Sequence, residues 1–297
     1  MLKGWMRMLP ALSLGTAALA QGPASLEAPP TTHTSLWVAE SDSVTLYLLG
    51  SVHILRESDF PLDPRMENAF EEADLVLFEA DPDSVGDAGA EARMLEFALL
   101  PEGTTLDEVV PEETFRRAQE AASELGFDPN AIRPMRPAMV ALFLTILQYQ
   151  KAGFSEEGID MYFYDRAVEK GVPVGSFETI DEQLDIVFGV TSDIAVQFLE
   201  STLDHLASAD TQIVRLMEAW KNGDSEELDR LLNETMEQAP ELRRRLLVDR
   251  NHRWVDRLES WLEKDKDILI VVGAGHLVGD QGLVQLLEER GFRLRQL

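Results

Sequence analysis

Two apolar runs in the sequence, VTLYLLGSVH and DILIVVGAGH, end alike: a glycine and, three residues on, a histidine, giving Gly50 with His53 and Gly273 with His276. In a chain with 19 glycines and 5 histidines, chance supplies well under one such spacing after a strand-like run. Imidazoles at the ends of buried strands sit where α/β folds place groups that touch ligands. Glycine at each end would let the backbone turn sharply and bring the ring back over the sheet edge. Two more strand-like runs end on acids. DLVLFEAD carries Glu79 in phase with Leu75 and Leu77, and VPVGSFET ends near Glu178. A carboxylate on an apolar face must be paired, protonated or bound to a metal. If the four strands are parallel neighbours, His53, Glu79, Glu178 and His276 converge on one rim. Such a set suits a divalent ion, Zn, Mn, Fe or Co, with positions open to water. The ion would activate water and polarise a carbonyl, and a carboxylate left over would serve as general base. Shared ligation requires donor atoms roughly 3 to 5 Å apart. The plainer alternative is two hydrogen-bonded histidines that pack loops, with the acids as salt-bridge partners.

The stretch from about Glu241 to Lys264 reads as one helix. Leu247, Trp254, Leu258 and Trp261 recur at helical spacing, and Asn251 falls inside that stripe with Arg250 on its edge. An amide buried alone costs roughly 1 to 3 kcal/mol and a charge costs more, so both need a defined network. His205 and His252 read as helix-surface residues, and Glu156-Glu157 as a solvated pair. GAGHLVG lacks the full dinucleotide fingerprint.

The elements that must hold these residues follow an alternating pattern. SLWVAE and VTLYLLG, separated by Ser41-Asp42-Ser43, read as a hairpin. A helix over Pro64 to Ala73 precedes the DLVLFEAD strand, and FRLRQL supplies a terminal strand. Long helical stretches lie between Ser84 and Gly171 and from Ile180 to Lys266. The fold class is therefore α/β: a central mixed sheet with long helical insertions and a site at the strands' C-terminal ends.

Residues 1–20, MLKGWMRMLPALSLGTAALA, read as a signal peptide cleaved before Gln21. Residues 21–34 read as a flexible tether and 35–297 as one domain. Export implies a periplasmic or secreted protein. No later segment is long and apolar enough to span a bilayer, so no membrane span is expected once the leader is cleaved. A formal charge of −28 makes nucleic acid and anionic membranes poor partners but attracts cations. With no cysteine, thiolate metal sites and cysteine nucleophiles are excluded.

Taken together, YLLGSVHIL, LVLFEAD, VPVGSFETIDEQ, DRNHRWVDRL and ILIVVGAGHLVGDQGLVQLLEERGFRL resemble the TraB/GumN family, whose relatives include the Tiki proteins. The resemblance runs from about Leu36 onward and is most specific in the two GxxH blocks. It implies an α/β metal-dependent hydrolase, peptidase-like in the Tiki branch, centred on the two histidines and an acid. By position these are His53, His276 and Glu79, with Arg250 and Asn251 matching an Arg-Asn pair and Glu178 a recurring Glu. The expected function is hydrolysis of a peptide or other carbonyl substrate. His53, Glu79 and His276 would hold the metal, Glu178 would orient or deprotonate water, and Arg250 with Asn251 would bind an oxyanion or substrate carboxylate. Two rival readings use the same cleft: a non-catalytic protein that sequesters a peptide or haem-like ligand, and metal-free acid–base hydrolysis by a His/Glu pair.

Overall fold

The computed structural model describes residues 33–40, 44–82, 88–155, 158–206, 209–236, 240–262 and 266–297. The leader, most of the tether and the Glu156-Glu157 pair lie outside them. Apolar runs rich in Val, Ile and Leu form the strands, as expected for a sheet covered on both faces. These are β1 (Leu36–Glu40), β2 (Thr45–Ser51), β3 (Leu75–Ala80), β4 (Val174–Glu178), β5 (Ile268–Gly273) and β6 (Leu294–Gln296). Their spatial order is β4-β3-β5-β2-β1-β6. The first four in that order run parallel, β1 pairs antiparallel with β2, and β6 pairs antiparallel with β1 and so runs with the other four. β1 and β2 form the expected hairpin, with Leu36 opposite Leu49.

Eleven helices of seven residues or more surround the sheet among the described residues. They are α1 (Pro64–Glu72), α2 (Ala88–Ala98), α3 (Glu112–Glu124), α4 (Pro137–Lys151), α5 (Ile159–Lys170), α6 (Ile180–Phe188), α7 (Ser192–Leu206), α8 (Ala209–Lys221), α9 (Ser225–Met236), α10 (Asp249–Leu262) and α11 (Leu283–Glu289). α4 is apolar nearly all round because it is buried among the other helices. No single helix among the described residues is long and apolar enough to cross a membrane. Thr34, at the end of the sequence-assigned tether, is fully buried, and the Gln296 amide donates to its carbonyl at 2.9 Å.

Two local features fix where the strand ends point. A capping box closes α6 at its start: the Glu182 amide donates to Thr179 Oγ1 at 3.1 Å, and the Thr179 amide to the Glu182 carboxylate at 2.8 Å. That box begins one residue after Glu178 and sets the exit of β4. At the other side, Gly158 precedes α5, where a Cβ would meet the His53 backbone at 2.3 to 2.5 Å. Only glycine lets the first turn of α5 approach so closely, and the Ile159 amide then donates to the Val52 carbonyl at 2.9 Å.

The late helix is not continuous. Residues Pro240–Arg243 are α-helical, Arg244–Val248 form a π turn, and α10 starts at Asp249. Such π turns occur as single-turn insertions, often at functional sites. The buried stripe holds, with Leu247, Trp254 and Leu258 inside, but Arg250 is as buried as the stripe itself, at 4% exposure.

Candidate functional site

The four parallel strands deliver the expected residues to one end of the sheet. Glu79 is the penultimate residue of β3 and Glu178 the last of β4, with Ala80 in register with Glu178. Ser51 ends β2 beside Gly273, the last residue of β5. His53 follows two residues later, and His276 closes a short 3-10 turn over Ala274–His276. Neither glycine makes the expected sharp turn, and Gly50 serves close approach instead. A Cβ at Gly50 would stand 3.1 Å from Ala274, while Gly273 has φ −49° and ψ 134°, which any residue adopts.

Arg250 ties the acids together. Its Nη2 donates to Glu79 Oε2 at 2.6 Å and to Glu178 Oε2 at 2.8 Å, and its Nε reaches both Glu178 oxygens at 3.1 and 3.0 Å. Nη1 donates to the Leu246 carbonyl at 3.1 Å and lies 3.1 Å from His276 Nε2. The guanidinium rests over the Trp254 ring, 4.6 Å from its centroid. Glu79 Oε1 accepts from the Gly273 amide at 2.8 Å, and Gln183 Nε2 stands 3.4 Å from Oε2. Arg253 reaches Glu178 from the outside, at 3.5 Å.

Each imidazole is oriented through Nδ1. His276 Nδ1 lies 2.6 Å from Asn251 Oδ1, whose amide nitrogen donates to the His276 and Gln281 carbonyls at 3.2 and 2.7 Å. That places the proton of His276 on Nδ1 and a lone pair on Nε2, which takes the Arg250 N–H and stands 3.6 Å from Glu79 Oε1. His53 Nδ1 lies 2.6 Å from Asp160 Oδ2, and Ser51 Oγ donates to Asp160 Oδ1 at 2.8 Å. His53 Nε2 is buried with no hydrogen-bond partner. His252 is exposed beside Gln281, and His205 stays on α7 near the Ser201 carbonyl, so neither joins the cluster.

The two rings are held in different protonation states. Burial, with the Arg250 and His53 charges, pushes His276 well below the usual histidine range, so it is neutral at physiological pH. Burial also opposes charge on His53, but the Asp160 carboxylate, through its charge and hydrogen bond, and the Glu79 charge outweigh it and raise the pKa. Burial raises Glu79 against the pull of Arg250, His53 and the Gly273 amide. Arg250 remains charged, because Glu79 and Glu178 overcome its desolvation.

Asp160, Ser51 and Gln183 belong to this network and were not singled out from sequence. The signal existed for two of them. Asp160 shares the buried stripe of α5 with Phe163 and Ala167, and Gln183 that of α6 with Ile180, Leu184 and Val187. The test applied to Arg250 and Asn251, a polar group inside an apolar stripe, finds both. A prediction follows for Asp160→Asn. Burial of His53 persists while the charge and hydrogen bond of Asp160 are gone, leaving only the weaker pull of Glu79 against it, so the His53 pKa should fall from above the ordinary value of about 6.5 to below it. An NMR titration of the chelator-treated protein reads this directly, and a pKa that stays raised would contradict the geometry.

Among the described residues, no three histidine and carboxylate side chains stand together as a ready metal-ligand set. Arg250 bridges Glu79, Glu178 and His276 instead, with a nitrogen within hydrogen-bond distance of each. The donor chemistry nonetheless fits a divalent ion. Both Nδ1 atoms point to side-chain oxygens, the arrangement that presents Nε2 to a metal, and one Nε2 has no protein partner. Glu79, Glu178 and Asp160 also set three buried carboxylates against one buried guanidinium.

The chain matches the model of the TraB/PrgY/gumN family over residues 35–296. It is 28% identical over 242 residues to the uncharacterized protein YbaP of Escherichia coli K12, covering 81% of this chain and 87% of that one. It is 24% identical to human metalloprotease TIKI1, over 87% of this chain but only 61% of the relative. To the metalloprotease TIKI homolog of Nematostella vectensis it is 22% identical, over 86% of this chain and 65% of the relative. No solved structure matches. With the family model spanning nearly all of the described fold, the chain belongs to the TraB/PrgY/gumN family.

Proposed function

We propose that this protein is an exported metal-dependent hydrolase that cleaves a peptide or another carbonyl substrate. The observation that carries the reading is the pair of imidazoles at neighbouring strand ends, each fixed through Nδ1, one with a free Nε2 and the other 3.6 Å from Glu79. The metalloprotease names of the TIKI relatives point the same way. His53, His276 and Glu79 would hold a Zn, Mn, Fe or Co ion. Such an ion, when bound, supplies an acidified water and a polarised carbonyl.

The protein's own groups do the rest. Asp160 and Asn251 orient the rings as positioning residues, since every polar atom of the Asn251 side chain is already committed. Glu178 would orient or deprotonate the water. The N–H groups of Arg250 are likewise committed, to Glu79, Glu178, His276 and the Leu246 carbonyl, so Arg250 would act through its buried positive charge, which in a dry setting stabilises charge developing on a carbonyl oxygen far more than in water. Residues 1–20, with their basic start, apolar middle and Ala-Leu-Ala close, support export to the periplasm or beyond.

The test combines metal analysis with product detection. Purified full chain is loaded with each ion in turn and offered a peptide mixture followed by mass spectrometry, beside His53→Ala and His276→Ala. Metal bound stoichiometrically by the wild type and lost from both variants is the expected result. Unchanged metal content in both variants removes the reading. Stabilisation by a ligand without product assigns the cleft to sequestration, and activity that survives chelators assigns it to acid–base hydrolysis.

A further inference from the structure

A hollow of about 250 Å³ opens beside the buried cluster, lined by Glu182, Asp185, Ile186, Arg245, Asp249 and Arg253. We propose that it anchors a carboxylate of the substrate, with Arg253 as the residue that grips it; the proposal rests on the hydrolase reading above and names the chemistry of its substrate. The lining acids are engaged. Glu182 accepts from Arg257 at 3.0 Å and from the Thr179 amide, Asp185 from Arg245 at 3.1 Å, and Asp249 from Arg244. Arg245 also donates to the Ile186 and Asp185 carbonyls at 2.9 and 2.5 Å.

Arg253 differs from its neighbours. Its contact with Glu178 is 3.5 Å, beyond a good hydrogen bond, and its side chain is 46% exposed. Glu178 already takes its short bonds from Arg250, so Arg253 gains little there and turns outward at small cost. A planar guanidinium with free donors matches a carboxylate through two parallel bonds. The size of the hollow sets the manner of binding. It falls below the roughly 300 to 1,000 Å³ of pockets that enclose a whole small molecule, so it holds the end of a ligand.

Charge distribution supports the assignment. Arg243, Arg244, Arg245, Arg250, Arg253 and Arg257 fall in one stretch of a chain whose formal charge is −28. The lining itself carries three acids to two arginines, but each acid is matched by an arginine, Glu182 by Arg257, Asp185 by Arg245 and Asp249 by Arg244, which leaves Arg253 as the cation with donors to offer an anion. A carboxylate that draws Arg253 outward leaves Glu178 to Arg250 alone, which ties occupancy of the hollow to the buried cluster. The carboxylate can come from a peptide C-terminus or an acidic side chain.

The test reads binding rather than turnover. Fluorescence anisotropy at low salt compares three dansylated alanine tetrapeptides: one with a free C-terminal carboxylate, its C-terminal amide, and the amide with one internal aspartate. Each is titrated into the full-length wild type, Arg253→Gln, Arg253→Lys and His53→Ala, with Arg116→Gln as a remote surface control. The wild type, Arg116→Gln and His53→Ala are each expected to bind the free acid about tenfold more tightly than the plain amide, the scale of one charge-assisted contact. Arg253→Gln reduces the ratio to within about twofold, and Arg253→Lys retains part of it. The aspartyl amide matches the free acid where a side chain suffices and the plain amide where the C-terminus is required. Equal binding of acid and amide by the wild type, an undiminished preference in Arg253→Gln, or no binding of the free acid at about 1 mM overturns the proposal. Because His53→Ala is expected to keep the preference, loss of the metal reading alone leaves a distinct result.

Discussion

Replacing Arg250 by methionine is expected to cost the fold about 3 to 5 kcal/mol, read as a lower urea midpoint at unchanged m-value. Methionine nearly fills the space, so the loss is electrostatic. The Glu79 and Glu178 side chains are both 1% exposed, and Arg250 supplies the short side-chain bonds to each. Without it, two carboxylates are left in the interior with one cation at the rim, Arg253, 3.5 Å from one of them. The deficit should depend on pH in a defined direction. Burial already raises Glu79, and removing the cation that pulls it down raises it further. A carboxyl whose folded pKa lies above its unfolded value is tolerated when protonated and destabilises once it ionises, so the gap from wild type should widen from pH 5 to pH 8. Adding Glu79→Gln and Glu178→Gln to Arg250→Met should recover a large part of the loss, because neutral amides cost less to bury than unpaired charges. A variant of wild-type stability at pH 8 would mean that the acids are not held as the geometry requires.

The same arginine explains why the cluster is both a structural knot and a candidate site. Its planar fork spans two carboxylates, an imidazole nitrogen and a carbonyl at once, a reach lysine lacks. Under the proposed function, a divalent ion would meet the same carboxylates and the same Nε2, so the guanidinium and the ion compete for negative charge. Divalent metal added to Arg250→Met should therefore restore more stability than it adds to the wild type, through binding to the native state alone.

Most of the framework was legible because burial on both faces writes itself into a strand. β2, β3 and β5 are continuous apolar runs, and their ends carry the few polar groups that such runs can bring to a rim. His53, Glu79, Glu178 and His276 were visible for that reason, and Asn251 and Arg250 because they interrupt an apolar helical stripe. The π turn over Arg244–Val248 was not legible, since a one-turn change of helical pitch leaves no residue-type signature and shows only in where Arg250 ends up. Asp160 could be found as a polar residue in the buried stripe of α5, but its partners could not, because its contacts with Ser51 and His53 join segments more than a hundred residues apart. What brings them together is a close approach at Gly158, and sequence alone gives that glycine the appearance of an ordinary loop residue. The glycines of the two GxxH blocks show the converse: their presence was informative, but the expected sharp turn is instead a tight approach of Gly50 to Ala274.

Gly158→Ala is accordingly expected to do damage out of proportion to one methyl group. The added carbon would stand 2.3 to 2.5 Å from the backbone carbon, Cα and oxygen of His53, atoms that cannot rotate aside as a side-chain tip can. The first turn of α5 must then lift away, stretching the Ile159 to Val52 hydrogen bond and drawing Asp160 from His53 and Ser51. Overpacking of this kind costs about 1 to 3 kcal/mol, and a clash with the His53 backbone rather than a movable side chain places this one at the upper end, about 3 kcal/mol by urea denaturation. Stability alone would not distinguish a general disturbance from the specific one described, so the His53 titration supplies a second readout. Moving Asp160 away should lower the His53 pKa in Gly158→Ala in the same direction as Asp160→Asn, whereas an alanine placed at exposed Gly103, where nothing stands within 4 Å but φ is +87°, should lose about 1 kcal/mol and leave that pKa alone. A destabilised Gly158→Ala with an unchanged His53 titration would separate the helix contact from the orientation of the ring and sink the link drawn between them.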